Sequence, residues 1–595
     1  MDAMVCVCAG IPCSAHCAVY PFYQLFFMSR PDWIVLAFTL TAIVAYGLYK
    51  SRTTKNLDGY FLSNRSMPWW LVLLSIMGTQ ASAVTFLSAP GQAYTDGMRF
   101  VQYYFGLPIA MVLLCITLVP IFHKLKVYTA YEYLENRFDL KTRTLTSFLF
   151  LLQRGVSTGI SIYAPAIILS SLLGWNIYWT NIFMGGLLII YTVSGGAKAV
   201  AYTQQLQMII IFAGMFMSAY MVVHLLPEGV GFIDALRVGG KMGRLNVITS
   251  GVEKGSFNWN DRYNIWSGLI GGFFLALSYF GTDQSQVGRY LTAKSLAESR
   301  VGLLMNGLVK VPMQFFILLV GVLVFTFYQF NQAPLFFNEI QLNKVANSRY
   351  KDSLQLMQLQ YALLSKEKTL TVGKWVNESR ANDDAKASEE KLKLLNTQTD
   401  KIRADFRGLV KKSGIGGDDN DTNYIFLRFV IDYLPKGLVG LLIAVIFLAA
   451  WGSIAAALNS LASCTVIDIH KKFIKKDCTE IIDYKTSRWY TFAWGVFSIF
   501  IAMFASNMGS LIEAVNVLGS LFYGVILGVF LVAFYLKHVK GHAVFISAII
   551  TELCIVLLFW KSSIGFLWLN AIGALGVIII ALLLQPFFNK KAATA

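Results

Sequence analysis

The sequence predicts an all-α polytopic membrane protein of about thirteen transmembrane helices, and three observations carry that prediction. The 595-residue chain is 56% hydrophobic and only 14% charged. It holds many separate apolar stretches near the roughly 20 residues that cross a bilayer as a helix. Its Lys and Arg residues gather in the short loops between those stretches. A formal net charge of +17 would point a soluble protein toward nucleic acid; here the basic loops report orientation, so no nucleic-acid partner is expected and membrane lipid is the surrounding medium.

Hydropathy places the spans at 31–49, 68–92, 99–122, 144–173, 177–193, 205–226, 264–287, 301–328, 434–466, 489–506, 510–535, 543–560 and 566–586. Loops with Lys50, Arg52, Lys55 and Arg65, with His123 to Arg143, Arg289 to Arg300, His470 to Arg488, Lys537 to Lys540, and with Lys590 and Lys591 alternate with loops poorer in Lys and Arg. Cytoplasmic loops hold the excess of positive charge. The N-terminus is therefore expected outside and the C-terminus in the cytoplasm, in a plasma membrane such as the bacterial inner membrane. The chain divides into a leader at 1–30, eight helices over 31–328, an insertion at 329–423, helices nine to thirteen over 424–587 and a cytoplasmic tail at 588–595.

The leader is atypical. Cys6, Cys8, Cys13 and Cys17 crowd it without the basic start of a signal peptide, and Met28-Ser29-Arg30-Pro31 opens directly onto the first span. Met28 is the expected start of the native protein; a metal-binding or acylated leader is the alternative. The other four cysteines have no metal-site spacing. His16, His123, His224, His470, His538 and His542 lie at span ends or in loops, so no facing pair ligates a haem.

The insertion is too long for an ordinary connection. Leu354, Met357, Tyr361 and Leu364 mark one amphipathic helix, and Leu392, Leu395, Ile402, Phe406 and Leu409 a second. Val372-Gly373 suits a turn between them. An external helical hairpin packed as a unit of its own is expected, a candidate contact for another chain, followed by an acidic linker at Gly414 to Asp421.

Polar residues inside spans point to function, because an unsatisfied polar group in hydrocarbon costs several kcal/mol. Gly78-Thr79-Gln80-Ala81-Ser82-Ala83-Val84-Thr85 interrupts the second span, and a helix that unwinds there exposes carbonyls to a cation. Ala449, Gly452, Ser453, Ala456, Ala457 and Ser460 share one smooth helical face, on which plain close packing or an oxygen-lined ion site can form. Gln102-Tyr103-Tyr104 opens the third span. Arg154 and Lys310 lie well inside theirs, and Asp283 is expected at the cytoplasmic mouth, paired with Arg289. No Walker loop, His/Glu metal motif or nucleophile elbow occurs; the chain is not expected to be an enzyme.

Five blocks of residues occur in an order that resembles the sodium/solute symporter family, which includes glucose, proline, sialate, iodide, vitamin and monocarboxylate carriers. They are Pro68-Trp69-Trp70 with Ser75, Ser82-Ala83, Tyr94 and Gly97; Tyr191 to Thr203 with Gly195-Gly196; Asp283-Gln284 to Leu291; Asn459-Ser460 to Asp468; and Gly519 to Gly524. The resemblance runs from Pro31 to Pro586 except for the insertion. It implies a five-plus-five inverted-repeat core with broken helices, one span before it and two after. It also implies a sodium site of the Gly78 and Ala81 carbonyls, the Ala449 carbonyl and the Ser453 hydroxyl. Two positions depart from the family pattern: Gly452 stands where a second hydroxyl is usual, and Gln204 where many members have an Asp.

The expectation is a secondary active transporter that imports a small solute with Na⁺, needing no cofactor beyond that coupling ion. Gln80, Thr85, Tyr103, Tyr104, Phe280 and Asn516 are the expected solute contacts, and Lys310 is an electrostatic partner suited to an anion. The alternatives are a proton-coupled or uncoupled carrier on the same fold, or a transport-derived membrane sensor.

Overall fold

The computed structural model describes residues 28–51, 57–381, 383–414, 419–474, 480–505 and 510–590. The cysteines of the leader, part of the acidic linker and the tail beyond Lys590 lie outside them. The principal helices, in chain order, are α1 (Arg30–Ser51), α2 (Trp69–Gln80), α3 (Ala83–Asp96), α4 (Leu107–Ile116), α5 (Leu140–Leu173), α6 (Ile177–His224), α7 (Gly272–Gly281) and α8 (Leu296–Phe330). They continue as α9 (Lys351–Ala381), α10 (Lys386–Ser413), α11 (Leu438–Cys464), α12 (Glu480–Ala502), α13 (Leu511–Tyr535), α14 (Gly541–Lys561) and α15 (Phe566–Lys590).

Among the described residues eight helices are long and apolar enough to cross a membrane, and α2 and α3 together make a further span bent by 61°. The remaining expected positions hold α1, α12 and the shorter apolar helices Ile177–Val193 and Ser267–Gly281. Where hydropathy predicts two spans at 177–193 and 205–226, the backbone is one 48-residue helix, α6. Glycines cost a helix only about 1 kcal/mol each, so Gly195-Gly196 does not end it.

The central element is α11. It is buried along almost its whole length and packs against α1, α5, α6 and both halves of the bent span. Small residues permit that many neighbours. A Cβ on Gly440 would come within 2.2 Å of the Asp32 carbonyl oxygen. The Asp32 carboxylate in turn accepts the N–H groups of Gly437 at 2.5 Å and Gly440 at 3.1 Å, so α1 caps the N-terminus of α11 with an anion where the helix dipole favours one.

The insertion forms a two-helix hairpin of α9 and α10. Its turn falls between Ala381 and Lys386, not at Val372-Gly373, and Gly373 sits within α9. The helix continues because Val372, Trp375 and Val376 are buried on either side of that glycine, which outweighs its propensity penalty. Leu354, Tyr361, Phe406 and Val410 build a small core with Leu335, Phe336 and Val345, whereas Val372, Trp375, Val376 and Leu392 join the main core. Arg380 pairs with Asp234 and Lys241 with Glu389 at 3.1 Å; Arg403 and Arg407 both reach Asp421, at 2.6 and 2.9 Å. The hairpin is thus bound to the transmembrane body rather than standing apart from it.

Lys368 is enclosed between the hairpin helices. Burial pushes its ammonium down to about 8 from 10.5, partly offset by Asp400. The unfolded chain binds this proton more tightly than the folded one, so stability rises with pH between about 8 and 10.5. Lys368→Met is expected to raise the melting temperature at pH 7, with the gain shrinking toward pH 10.5. Thermal unfolding across that range checks it; a gain that does not change with pH counts against the charge argument.

Candidate functional site

The bend between α2 and α3 follows from Gly78-Thr79-Gln80-Ala81-Ser82. Ala81 (ψ 81°) and Ser82 (ψ 172°) leave the helical region. The Ala81 N–H still reaches the Met77 carbonyl at 2.7 Å, but the Ser82 N–H turns to Gln80 at 3.1 Å and the Thr85 N–H to Ser82 at 2.9 Å. In an unbroken helix those two donors would serve the carbonyls of Gly78 and Ala81. The break therefore releases the two oxygens that the resemblance assigns to sodium.

α11 forms the facing wall. The Ser453 hydroxyl donates to the carbonyl of Ala449 at 3.0 Å or Ala450 at 3.1 Å, which turns its lone pairs outward, toward whatever lies beside the helix. Thr79, Gln80 and Ser82 of the break share a polar side pocket with Ser453 and Ala457. Two carbonyls, a hydroxyl and the Ala449 carbonyl are neutral oxygens of the hard type that suits an alkali cation.

The two departures from the family pattern are coupled in space. The Gln204 Oε1 accepts from the Ser75 hydroxyl at 2.7 Å, and its Nε2 donates to the Gly452 carbonyl at 3.0 Å and to Thr79 Oγ1 at 3.2 Å. A Cβ at Gly452 would lie 2.5 Å from Gln207 Oε1 and 3.2 Å from Gln204 Cγ. Glycine at 452 thus makes room for two α6 amides, and the Gln204 NH₂ group bridges α2 and α11.

Next to the break lies a cavity of about 650 Å³, its open mouth included. Gln80, Thr85, Tyr103, Tyr104 and Asn516 all line it, and the Tyr103 hydroxyl donates to Asn516 Oδ1 at 3.0 Å. Phe280 does not line it. Its ring is buried edge-on against Tyr279, 5.0 Å between centroids, and Tyr279 takes the cavity position instead; one residue along a helix turns a side chain by about 100°. Lys310 is also outside the cavity wall, fully buried with its Nζ 5.6 Å from the Tyr104 ring centroid.

The wall also carries Gln153, Arg154, Ser157 and Tyr523, none among the expected solute contacts. Arg154 was visible as a cation deep in a span, but α5 is buried on most faces, so no amphipathic pattern says which side meets the cavity. Arg154 Nη1 stands 3.9 Å from Asp283 Oδ2, its Nε has no hydrogen-bond partner, and its Cζ is 6.0 Å from the Tyr279 ring centroid. Asp283 faces Arg154 rather than Arg289, and accepts from Tyr523 Oη at 2.7 Å, Ser285 N at 2.7 Å and Ser285 Oγ at 2.5 Å. Those bonds come from α13 and from its own turn, which hold it off the arginine.

A helix broken in mid-span with a polar cavity beside the break is the arrangement of secondary transporters, which bind solute and ion within the membrane. The model of the sodium:solute symporter family matches residues 60–354 and 405–551. The chain belongs to that family, the sodium-coupled solute symporters; most of the insertion falls in the gap between the two matched stretches. It is 24% identical over 570 residues to the sodium/sialic acid symporter SiaT of Proteus mirabilis, covering 94% of this chain and 95% of that protein. It is 27% identical to human sodium-coupled monocarboxylate transporter 1, covering 84% and 68%. A solved substrate-bound, outward-open Na⁺-coupled sialic acid symporter superposes with a TM-score of 0.71 at 22% identity, over 94% of this chain and 98% of that one.

The Gln204 bridge generates a sharp expectation. In Gln204→Glu the carboxylate keeps the length of the amide and faces the Gly452 carbonyl across about the same 3.0 Å, a repulsive contact unless a cation intervenes. This variant is expected to melt lower than wild type in choline chloride and to recover in sodium chloride. Ser453→Ala is expected to lose the sodium response. Equal sodium-minus-choline shifts in wild type and both variants would remove this region from the ion site.

Proposed function

We propose that this symporter imports a small organic carboxylate, bound in the cavity between the bent span, α5 and α13. Arg154 carries the reading: a cavity-wall guanidinium whose one ion pair among the described residues, with Asp283, is as long as 3.9 Å, and that carboxylate already accepts from Tyr523 and Ser285. Arginine pairs with carboxylates through parallel N–H bonds. The relatives named for sialic acid and monocarboxylates support the same class. Gln80, Thr85, Tyr103, Tyr104 and Asn516 supply the remaining polar contacts, and the freed Gly78 and Ala81 carbonyls with Ala449 and Ser453 hold Na⁺. A second interruption at Thr282-Asp283, between α7 and the helix Gln284–Tyr290, supports a core of inverted repeats with two broken helices.

Charge-assisted hydrogen bonds contribute about 1.5–3 kcal/mol. Arg154→Met is therefore expected to weaken binding of a transported carboxylate by about 10- to 100-fold, while the matching methyl ester binds wild type and variant alike. Solute-induced thermal shifts with acid and ester pairs measure both. An ester that binds wild type as tightly as the acid rules out the carboxylate reading.

We further infer that the hairpin is external. The Asp32 bonds to Gly437 and Gly440 place the start of α1 at the end of the bundle where the insertion returns. The basic residues Arg137, Arg143 and Lys472 cluster with Asp468 and the 536–539 loop at other contacts. Thr397 is exposed on α10, so Thr397→Cys is expected to react with an impermeant maleimide in intact or outer-membrane-permeabilised cells. Labelling seen only after lysis of the inner membrane reverses the orientation.

A further inference from the structure

Three polar side chains on α8 have no place in the cavity just described. Asn306, Lys310 and Gln314 recur at every fourth residue and so form one stripe along the helix. All three are fully buried. Neither atom of the Asn306 amide, nor the Lys310 Nζ, nor either atom of the Gln314 amide has a hydrogen-bond partner. Lys310 has no ion pair among the described residues, whereas Arg143, Arg154 and Arg403 each face a carboxylate; Arg289, equally buried, also lacks one.

The packing of α8 fixes where this stripe lies. A Cβ on Gly302 would come within 2.9 Å of Val72 on α2, and one on Gly321 would overlap the Pro90 carbonyl of α3. Lys310 falls between those contacts, level with the break. Asn306 and Gln314 each lie one helical turn from Lys310. Its ammonium lies 5.6 Å from the ring centroid of Tyr104, and Tyr104 lines the solute cavity.

The chemistry of the set selects its occupant. An ammonium only donates, and a cation is repelled by it. Water satisfies donors but leaves the charge uncompensated in a low-dielectric interior. A small anion does both, accepting from Nζ and from the amide N–H groups, either of which can be turned toward it. We propose that Asn306, Lys310 and Gln314 form a binding site for one small inorganic anion, chloride, separated from the solute cavity by the Tyr104 ring. The anion neutralises Lys310 and holds its ammonium against that ring, so the filled site sets the position of a wall of the solute cavity. This site does not depend on the solute being a carboxylate.

The test is thermal unfolding of the full-length purified protein without solute, in sodium chloride against sodium gluconate at equal sodium concentration. Chloride is expected to raise the melting temperature of wild type in a saturable way, as a ligand that binds only the folded state does. Lys310→Met is expected to lose the chloride response and keep the sodium response. If that variant does not fold, Asn306→Leu with Gln314→Leu carries the test, with chloride affinity expected to fall by about tenfold or more. Arg154→Met is expected to keep the chloride shift, which separates this site from the cavity. Identical melting in chloride and gluconate, or a chloride shift undiminished in the α8 variants, overturns the proposal.

Discussion

In hydrocarbon a backbone carbonyl without a partner costs several kcal/mol, and the rest of this molecule is arranged around two carbonyls that the helix has let go. The Ser82 and Thr85 N–H groups close on their near neighbours instead of on Gly78 and Ala81. Such a break survives only where other protein and a polar space cover it. α11 provides the cover, because Ala449, Gly452, Ser453 and Ala456 give it a face smooth enough to lie against α2 and α6. The cavity provides the polar space. The position of the cavity, the burial of α11 and the composition of its stripe are consequences of one interrupted hydrogen-bond ladder.

Much of the fold was legible because a bilayer makes the code simple. Long apolar runs separated by basic loops mark helices whatever their neighbours, and the Gly-Thr-Gln-Ala-Ser interruption announced the bend. Five of the seven expected solute contacts line the cavity for the same reason, since they belong to the break or to span ends that face it. Phe280 and Tyr279 could not be told apart, because both are aromatic and the helix carrying them has no polar face to set its rotation. Arg154 and Gln153 were equally opaque: α5 is surrounded by protein, so its burial is nearly uniform. The turn of the hairpin was misplaced by trusting glycine punctuation over the buried Trp375 and Val376 beside it.

Gln204 ties the wall of the break to α11. Its amide takes one hydrogen bond from Ser75 and gives two, to Thr79 and to Gly452. A carboxylate in that place would share the same neighbours only with a positive charge between them. The amide supplies its own donor hydrogens, and the missing side chain at 452 is what lets it approach.

The hairpin carries a mechanical consequence. Its helix α9 is 31 residues long, a rod of about 46 Å at 1.5 Å per residue. Through Arg380 the rod holds Asp234, in the connection that follows α6; through Arg403 and Arg407 its partner helix holds Asp421, in the approach to α11. The two moorings lie on separate stretches of the bundle. Any rocking that moves one stretch past the other must either swing the rod or break a mooring. The insertion is a strut between the two stretches, and its ion pairs limit how far one can travel past the other.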